Sequence, residues 1–312
     1  MNSKTNFLER ALIGQNEWWK YIIILIVAFF GGSIIGSLPL IVMGVIKTIS
    51  SSGTPIPNNF FDSTWLGISY NLSLALNMLP FVFVLALAIL MIKLMHKRTF
   101  AETVNGTKSV RWGRSLLSFT LWFVLMAVYY VADYFWHTDN YVFQFDVVKF
   151  IPLLVISLIM IPIQTSSEEF LMRGYLAQGV GSHTHNRWFA VLVPSIVFAL
   201  LHSANPEVGK YGFVLAMAQY WFFGLFFGVV AVLDDGVELT MGAHAANNIF
   251  LSLFMTNSSS ALQTDAIFEV KNIDPLQDLL SLVVIAVIVF FILYKKYNWN
   301  LRVMNKRVEI KD

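Results

Sequence analysis

Apolar runs of roughly membrane length recur from Tyr21 almost to the C-terminus, each closed by a short polar or turn-rich stretch. About 20 apolar residues cross a hydrocarbon core, and eight stretches qualify, near 21–46, 71–95, 115–136, 148–180, 188–203, 211–233, 237–256 and 278–294. The pattern predicts an all-α fold: a polytopic membrane protein whose single domain, over 21–294, is a bundle of about eight transmembrane helices. The fourth run, with its charged tail, is longer than a bilayer needs. Residues 1–20 form a polar lead and 295–312 a basic tail. In the lead, Phe7, Leu8, Ala11 and Leu12 fall near helical spacing. That predicts a segment lying along the membrane interface, with Trp18 and Trp19 at headgroup level; a free tail is the alternative. The first run is too long for a signal-peptide core and lacks a small-residue cleavage pattern, so it reads as a retained helix.

Composition agrees with a membrane solvent. The chain is 57% hydrophobic with mean hydropathy +0.65, above the roughly 45–50% apolar usage of soluble domains. A net charge of +2 suggests no nucleic-acid partner. There is no cysteine, which excludes a disulfide framework, a thiolate nucleophile and thiolate metal ligands. The basic residues report topology instead. Lys4, Arg10, Lys20, Lys97, Arg98, Lys108, Arg111, Arg114, Arg187 and the tail residues Lys295, Lys296, Arg302, Lys306, Arg307 and Lys311 fall on one side. Only Lys210 and Lys271, with Lys47 and Lys149 at its borders, fall on the other. Both termini are therefore expected in the cytoplasm, which an even number of spans permits. The 97–114 segment reads either as an interfacial turn drawn to anionic lipid or as a solvated basic loop. Gly32/Gly36 and Gly224/Gly228 have the spacing of close helix contacts.

Three polar blocks interrupt this apolar background. An ionisable side chain at the centre of a membrane helix costs roughly 2.5–3.5 kcal/mol on insertion scales, so such residues are candidate functional groups. In the first block, Glu169 and Arg173 are four apart on a helix and share a face, which lowers the cost of burying either. Glu168 lies about 100° around the helix from Glu169 and is not neutralised by the same Arg. A carboxylate held in an apolar setting beside a like charge suits a general base near neutrality; a helix-end charge cluster at the surface is the plainer reading. The second block closes a run with Phe198 and His202. The third places His244 and Asn248 on one helix face, able to bind a metal, to donate to a developing oxyanion, or to act as interhelical polar glue. At 1.5 Å per residue, Glu168 lies about 18 Å from an inner end near Val180, His202 about 21 Å above Trp188, and Asn248 about 16 Å above Val237. Three helices would thus bring their polar groups to a similar depth.

Glu-Glu-x-x-x-Arg at 168–173, Phe-x-x-x-His at 198–202 and His-x-x-x-Asn at 244–248, in this order on successive membrane helices, resemble the CAAX-protease and bacteriocin-processing (CPBP, or Abi) family of intramembrane proteases. The prenyl-protein endopeptidase Rce1 belongs to that family. The resemblance covers roughly 148–256. It implies an intramembrane endopeptidase acting on a membrane-associated protein or peptide, of CAAX or bacteriocin type, within the lipid bilayer. It further implies that Glu168 and His202 activate water and that His244 and Asn248 stabilise the oxyanion, with Glu169, Arg173 and Phe198 in support. No cofactor is favoured. The alternative is a zinc or other divalent metal held by Glu168, His202 and His244 with an open position for water. The competing function is a non-proteolytic membrane partner in bacteriocin immunity or signalling.

Overall fold

A computed structural model describes residues 6–50 and 63–310. Residues 51–62, Lys4 and Lys311 lie outside them. In chain order the helices are α1 (Trp18–Ser50), α2 (Tyr70–Met95), the short α3 (Phe100–Asn105), α4 (Trp112–Trp136) and α5 (Val147–Thr184). They are followed by α6 (Arg187–Leu201), the short α7 (Pro206–Tyr211), α8 (Phe213–Asp234), α9 (Glu238–Phe254) and α10 (Pro275–Tyr297). The protein is an all-α polytopic membrane protein, and each of the eight apolar runs became a helix. Six are long and apolar enough to cross a membrane. The other two, α6 with 15 residues and α9 with 17, are shorter than a span needs, so eight full crossings do not follow. The two candidate histidines belong here, His202 capping α6 and His244 within α9.

Lipid explains the outer surface. Ile34, Ile49, Leu116, Val128, Phe135, Val148 and Val214 are all exposed, an apolar belt that a soluble protein would not leave open. Trp18, Trp112 and Trp136 stand exposed at helix ends, where an amphipathic ring meets the headgroups. Inside the belt, α9 runs nearly enclosed. Every residue from Glu238 to Ala246 is buried, and the helix packs on α4, α5 and α8. Close approach requires glycine at chosen points. A Cβ on Gly36 would sit 2.3 Å from Pro80 Cα of α2, and one on Gly242 would sit 1.9 Å from the Ser115 carbonyl of α4. Gly224 and Gly228 likewise bring α8 onto Ser195 and Val191 of α6. The glycine spacing in the sequence therefore does mark helix contacts.

Two expectations fail at the end of the bundle that carries both termini. The apolar positions of the lead do not face lipid. Phe7, Leu8 and Ala11 are fully buried against the last part of α5. They are fixed there by Phe7 N–H donating to Asp235 at 2.9 Å, by Gln178 donating to the Phe7 carbonyl, and by a Glu9–Arg187 ion pair. Burial raises the Glu9 and Asp235 carboxyls above their ordinary values. Hydrophobic surface found protein instead of lipid. The 97–114 segment is neither a lipid-bound turn nor a solvated loop throughout. Arg98 is buried and donates to Gln178, whereas Arg111 pairs with Glu238 at 2.5 Å and Arg114 pairs with Asp234. At the opposite end, β1 (Tyr141–Phe143), β2 (Met255–Thr256) and β3 (Phe268–Val270) form a small sheet in the order β1-β3-β2. β3 runs antiparallel to β1 and parallel to β2. Nothing in the hydropathy pattern announced it.

Candidate active site

The acidic block sits where α5 changes its winding. Glu169 ends an α-helical stretch, and Phe170–Leu176 form a π-turn that contains Arg173. Such a turn inserts one residue into a helix and is common at functional sites. Here it still lets Arg173 Nη1 donate to Glu169 Oε1 at 2.8 Å. The guanidinium also lies 4.2 Å over the Phe198 ring, a cation–π contact. Glu169 and Arg173 are both almost fully buried. The hydroxyl of Tyr175, also in the π-turn, lies 2.8 Å from His96 Nε2, while His96 Nδ1 meets the Gln15 carbonyl. Burial pushes His96 down to about 4, so near neutrality it stays uncharged.

His244 reaches across from α9 to the same carboxylate. Its Nδ1 donates to Glu169 Oε1 at 2.9 Å, and its Nε2 faces Glu168 Oε2 at 3.6 Å, too far for a direct hydrogen bond. The imidazole is thus held between two carboxylates and walled by the rings of Phe198, Phe223 and Phe227 at 6.2, 5.0 and 5.8 Å between centroids. Glu168 Oε1 accepts from Gln164 Nε2 at 2.7 Å. Glu168 Oε2 is buried and has no hydrogen-bond partner among the described residues.

His202 caps the C-terminus of α6. Its Nδ1 lies 2.8 Å from the Phe198 carbonyl, which can only accept, so Nδ1 carries the proton and the neutral ring keeps a lone pair at Nε2. The ring stacks on Tyr220 and lies tilted against Phe198, with centroids 4.5 and 4.4 Å away. Phe198 is therefore a common neighbour of His202, His244 and Arg173. Asn248 does not pair with His244. It donates to Gln164 Oε1 at 3.1 Å and accepts from Asn247. Glu168, Glu169, Arg173, Phe198, His202, His244 and Asn248, drawn from three helices, thus form one neighbourhood. Among the described residues no group of three His, Cys, Asp or Glu side chains is arranged to hold a metal ion.

Sequence reasoning missed Gln164 and Tyr220. Gln164 lies one helical turn before Glu168, a spacing that could have drawn attention to it; Tyr220 had no comparable signal. Residues 147–250 match the family model described as type II CAAX prenyl endopeptidase Rce1-like. The chain is also 32% identical over 257 residues to the uncharacterized protein YyaK of Bacillus subtilis (strain 168), covering 82% of this chain and 84% of that protein. No solved structure matches.

Proposed function

From the premise that the chain belongs to the Rce1-like family of CAAX-type intramembrane proteases, we propose that it hydrolyses a peptide bond of a membrane-associated protein or peptide by water activation at Glu168. The observation that carries this reading is the Glu168 carboxylate. One oxygen is tied by Gln164, and the other is buried, unpartnered and turned toward His244 Nε2. Glu9, Glu169 and Asp234 also keep one buried oxygen without a hydrogen-bond partner, but each is paired with an arginine, whereas among the described residues Glu168 pairs with none.

In this reading Glu168, with the Nε2 lone pair of His202, takes a proton from water as the oxygen attacks the scissile carbonyl. Glu168 then returns the proton to the leaving amine. His244, its Nδ1 proton held by Glu169, presents Nε2 to the reaction. When that atom is also protonated, the ring can donate to the developing oxyanion, and the free amide hydrogen of Asn248 is the second donor. Arg173 and Glu169 fix the imidazole. The test compares the membrane proteomes of wild-type, deletion and Glu168→Gln cells. A product peptide present only in the wild type supports the reading; identical peptide sets in all three overturn it, leaving the non-proteolytic partner.

The metal-free assignment has its own check. Purified protein should contain no stoichiometric zinc, and a chelator that crosses detergent micelles should leave cleavage intact. About one zinc per chain by elemental analysis, with activity lost and regained on its removal and return, would make Glu168, His202 and His244 ligands. We further infer that both termini face the cytoplasm, supported by the one-sided distribution of Lys and Arg. A reporter fused at the C-terminus should read cytoplasmic, and an external signal would reverse the orientation.

A further inference from the structure

Glu168 stands at the end of a continuous chain of hydrogen bonds that crosses three helices. Trp122 Nε1 of α4 donates to Asn247 Oδ1 at 3.3 Å. Asn247 Nδ2 donates to Asn248 Oδ1 at 3.1 Å, Asn248 Nδ2 to Gln164 Oε1 at 3.1 Å, and Gln164 Nε2 to Glu168 Oε1 at 2.7 Å. Each amide has a donor end and an acceptor end, and nothing within the amide decides which way it faces. The two ends of this chain decide it. An indole N–H can only donate, and an ionised carboxylate can only accept. Both force the same direction on all three amides. The anchor is rigid: Trp122 is fully buried and packs against Phe223, Phe226 and Phe227.

We infer that Trp122, Asn247 and Gln164 form a polarised relay of positioning residues, which holds an N–H on Glu168 Oε1 and leaves Oε2 for water. The inference rests on the proteolytic reading above and deepens it. Gln164 is the last link. Its Nε2 stabilises the charged form of the base and fixes the carboxylate plane, and its Oε1 takes one amide hydrogen of Asn248, so that the other is aimed. Reversal of Gln164 would place an oxygen against the carboxylate, and reversal of either asparagine would set donor against donor or oxygen against oxygen along the chain, contacts that repel. The indole at the far end prevents that reversal without touching the substrate. Bonds in such a chain polarise one another, so removing one link weakens those beyond it.

The experiment uses purified full-length protein in nanodiscs, with a peptide ending in a farnesylated cysteine and three further residues as the probe. Release of the tripeptide is followed by mass spectrometry. Gln164→Leu should lower kcat by roughly 10- to 100-fold, the worth of one hydrogen bond to a charged group, with KM within about two-fold because the group acts on the base and not on the substrate. Trp122→Phe should lower kcat by a smaller factor. The double variant should be no slower than Gln164→Leu alone, since the relay is already cut. Should Trp122→Phe fail to accumulate, Asn247→Leu interrupts the same chain nearer the base. Multiplying single-variant losses, or a Gln164→Leu enzyme with wild-type kcat, would overturn the relay and leave the proteolytic reading standing. If wild-type protein leaves the probe intact, the same variants are compared by thermal unfolding, which needs no substrate. Melting-temperature losses smaller in the double variant than the sum of the singles support the relay, and additive losses overturn it.

Discussion

Replacing Glu168 by Gln should leave a folded protein that no longer turns over. The substitution keeps the side chain's shape. Its amide oxygen can still accept from Gln164 Nε2, as the carboxylate now does at 2.7 Å, and its new NH2 can face His244 Nε2, now 3.6 Å from Glu168 Oε2. Packing is therefore preserved, and what is lost is a group able to take a proton from water. General-base contributions run at roughly 10²–10⁴-fold, so cleavage should fall by at least that range while abundance in the membrane stays near wild type. Product release from a farnesylated peptide and an immunoblot of membranes measure the two quantities. An active Glu168→Gln protein would remove Glu168 from the role of base.

Arg173→Ala should have the opposite profile, with loss of protein before loss of chemistry. Arg173 is almost fully buried, donates to Glu169 at 2.8 Å and covers the Phe198 ring at 4.2 Å. Truncation strands the Glu169 carboxylate in an apolar interior, at a cost on the order of 3–5 kcal/mol, and opens a void beside Phe198. The melting temperature of the solubilised protein and its steady-state level in membranes should both drop sharply. Removing the charge on both sides, as Glu169→Gln with Arg173→Met, should recover part of that loss, because an absent pair costs less than half a pair. Wild-type stability in Arg173→Ala would show that the ion pair is not what holds this corner together.

How much of this was legible in the sequence depends on how far apart the interacting residues lie. The helices were readable because hydropathy is local. The run near 71–95 became Tyr70–Met95, and that near 211–233 became Phe213–Asp234. The Glu169–Arg173 pair was readable too, since both partners share one helix four residues apart, and the bond survives the π-turn. Contacts between helices were another matter. Intrahelical spacing joined His244 to Asn248, whereas in the fold His244 turns to Glu169, 75 residues away, and Asn248 turns to Gln164, 84 away. Side chains on one helix face choose partners on the helix opposite, and the sequence does not state which helix that is. The lead failed for the same reason. Phe7, Leu8 and Ala11 have the apolar spacing of an interfacial helix, and only the fold reveals a protein surface ready to cover them.

The brevity of α6 and α9 has a consequence for the bilayer itself. At 1.5 Å per residue their 15 and 17 residues extend about 22 and 26 Å, against a hydrocarbon thickness near 30 Å. α9 is enclosed by protein, but lipid meeting the exposed face of α6, with Phe189, Ile196 and Leu200, would have to thin locally or let headgroups and water follow it inward, at a cost of fractions of a kcal/mol per ångström of mismatch. That dimple would lie where His202 closes α6. Hydrolysis inside a membrane needs water at a depth where there is little, and a short lipid-facing helix beside the site would bring it closer through the shape of the surrounding lipid. Turnover would then depend on acyl-chain length, faster in thin membranes than in thick ones.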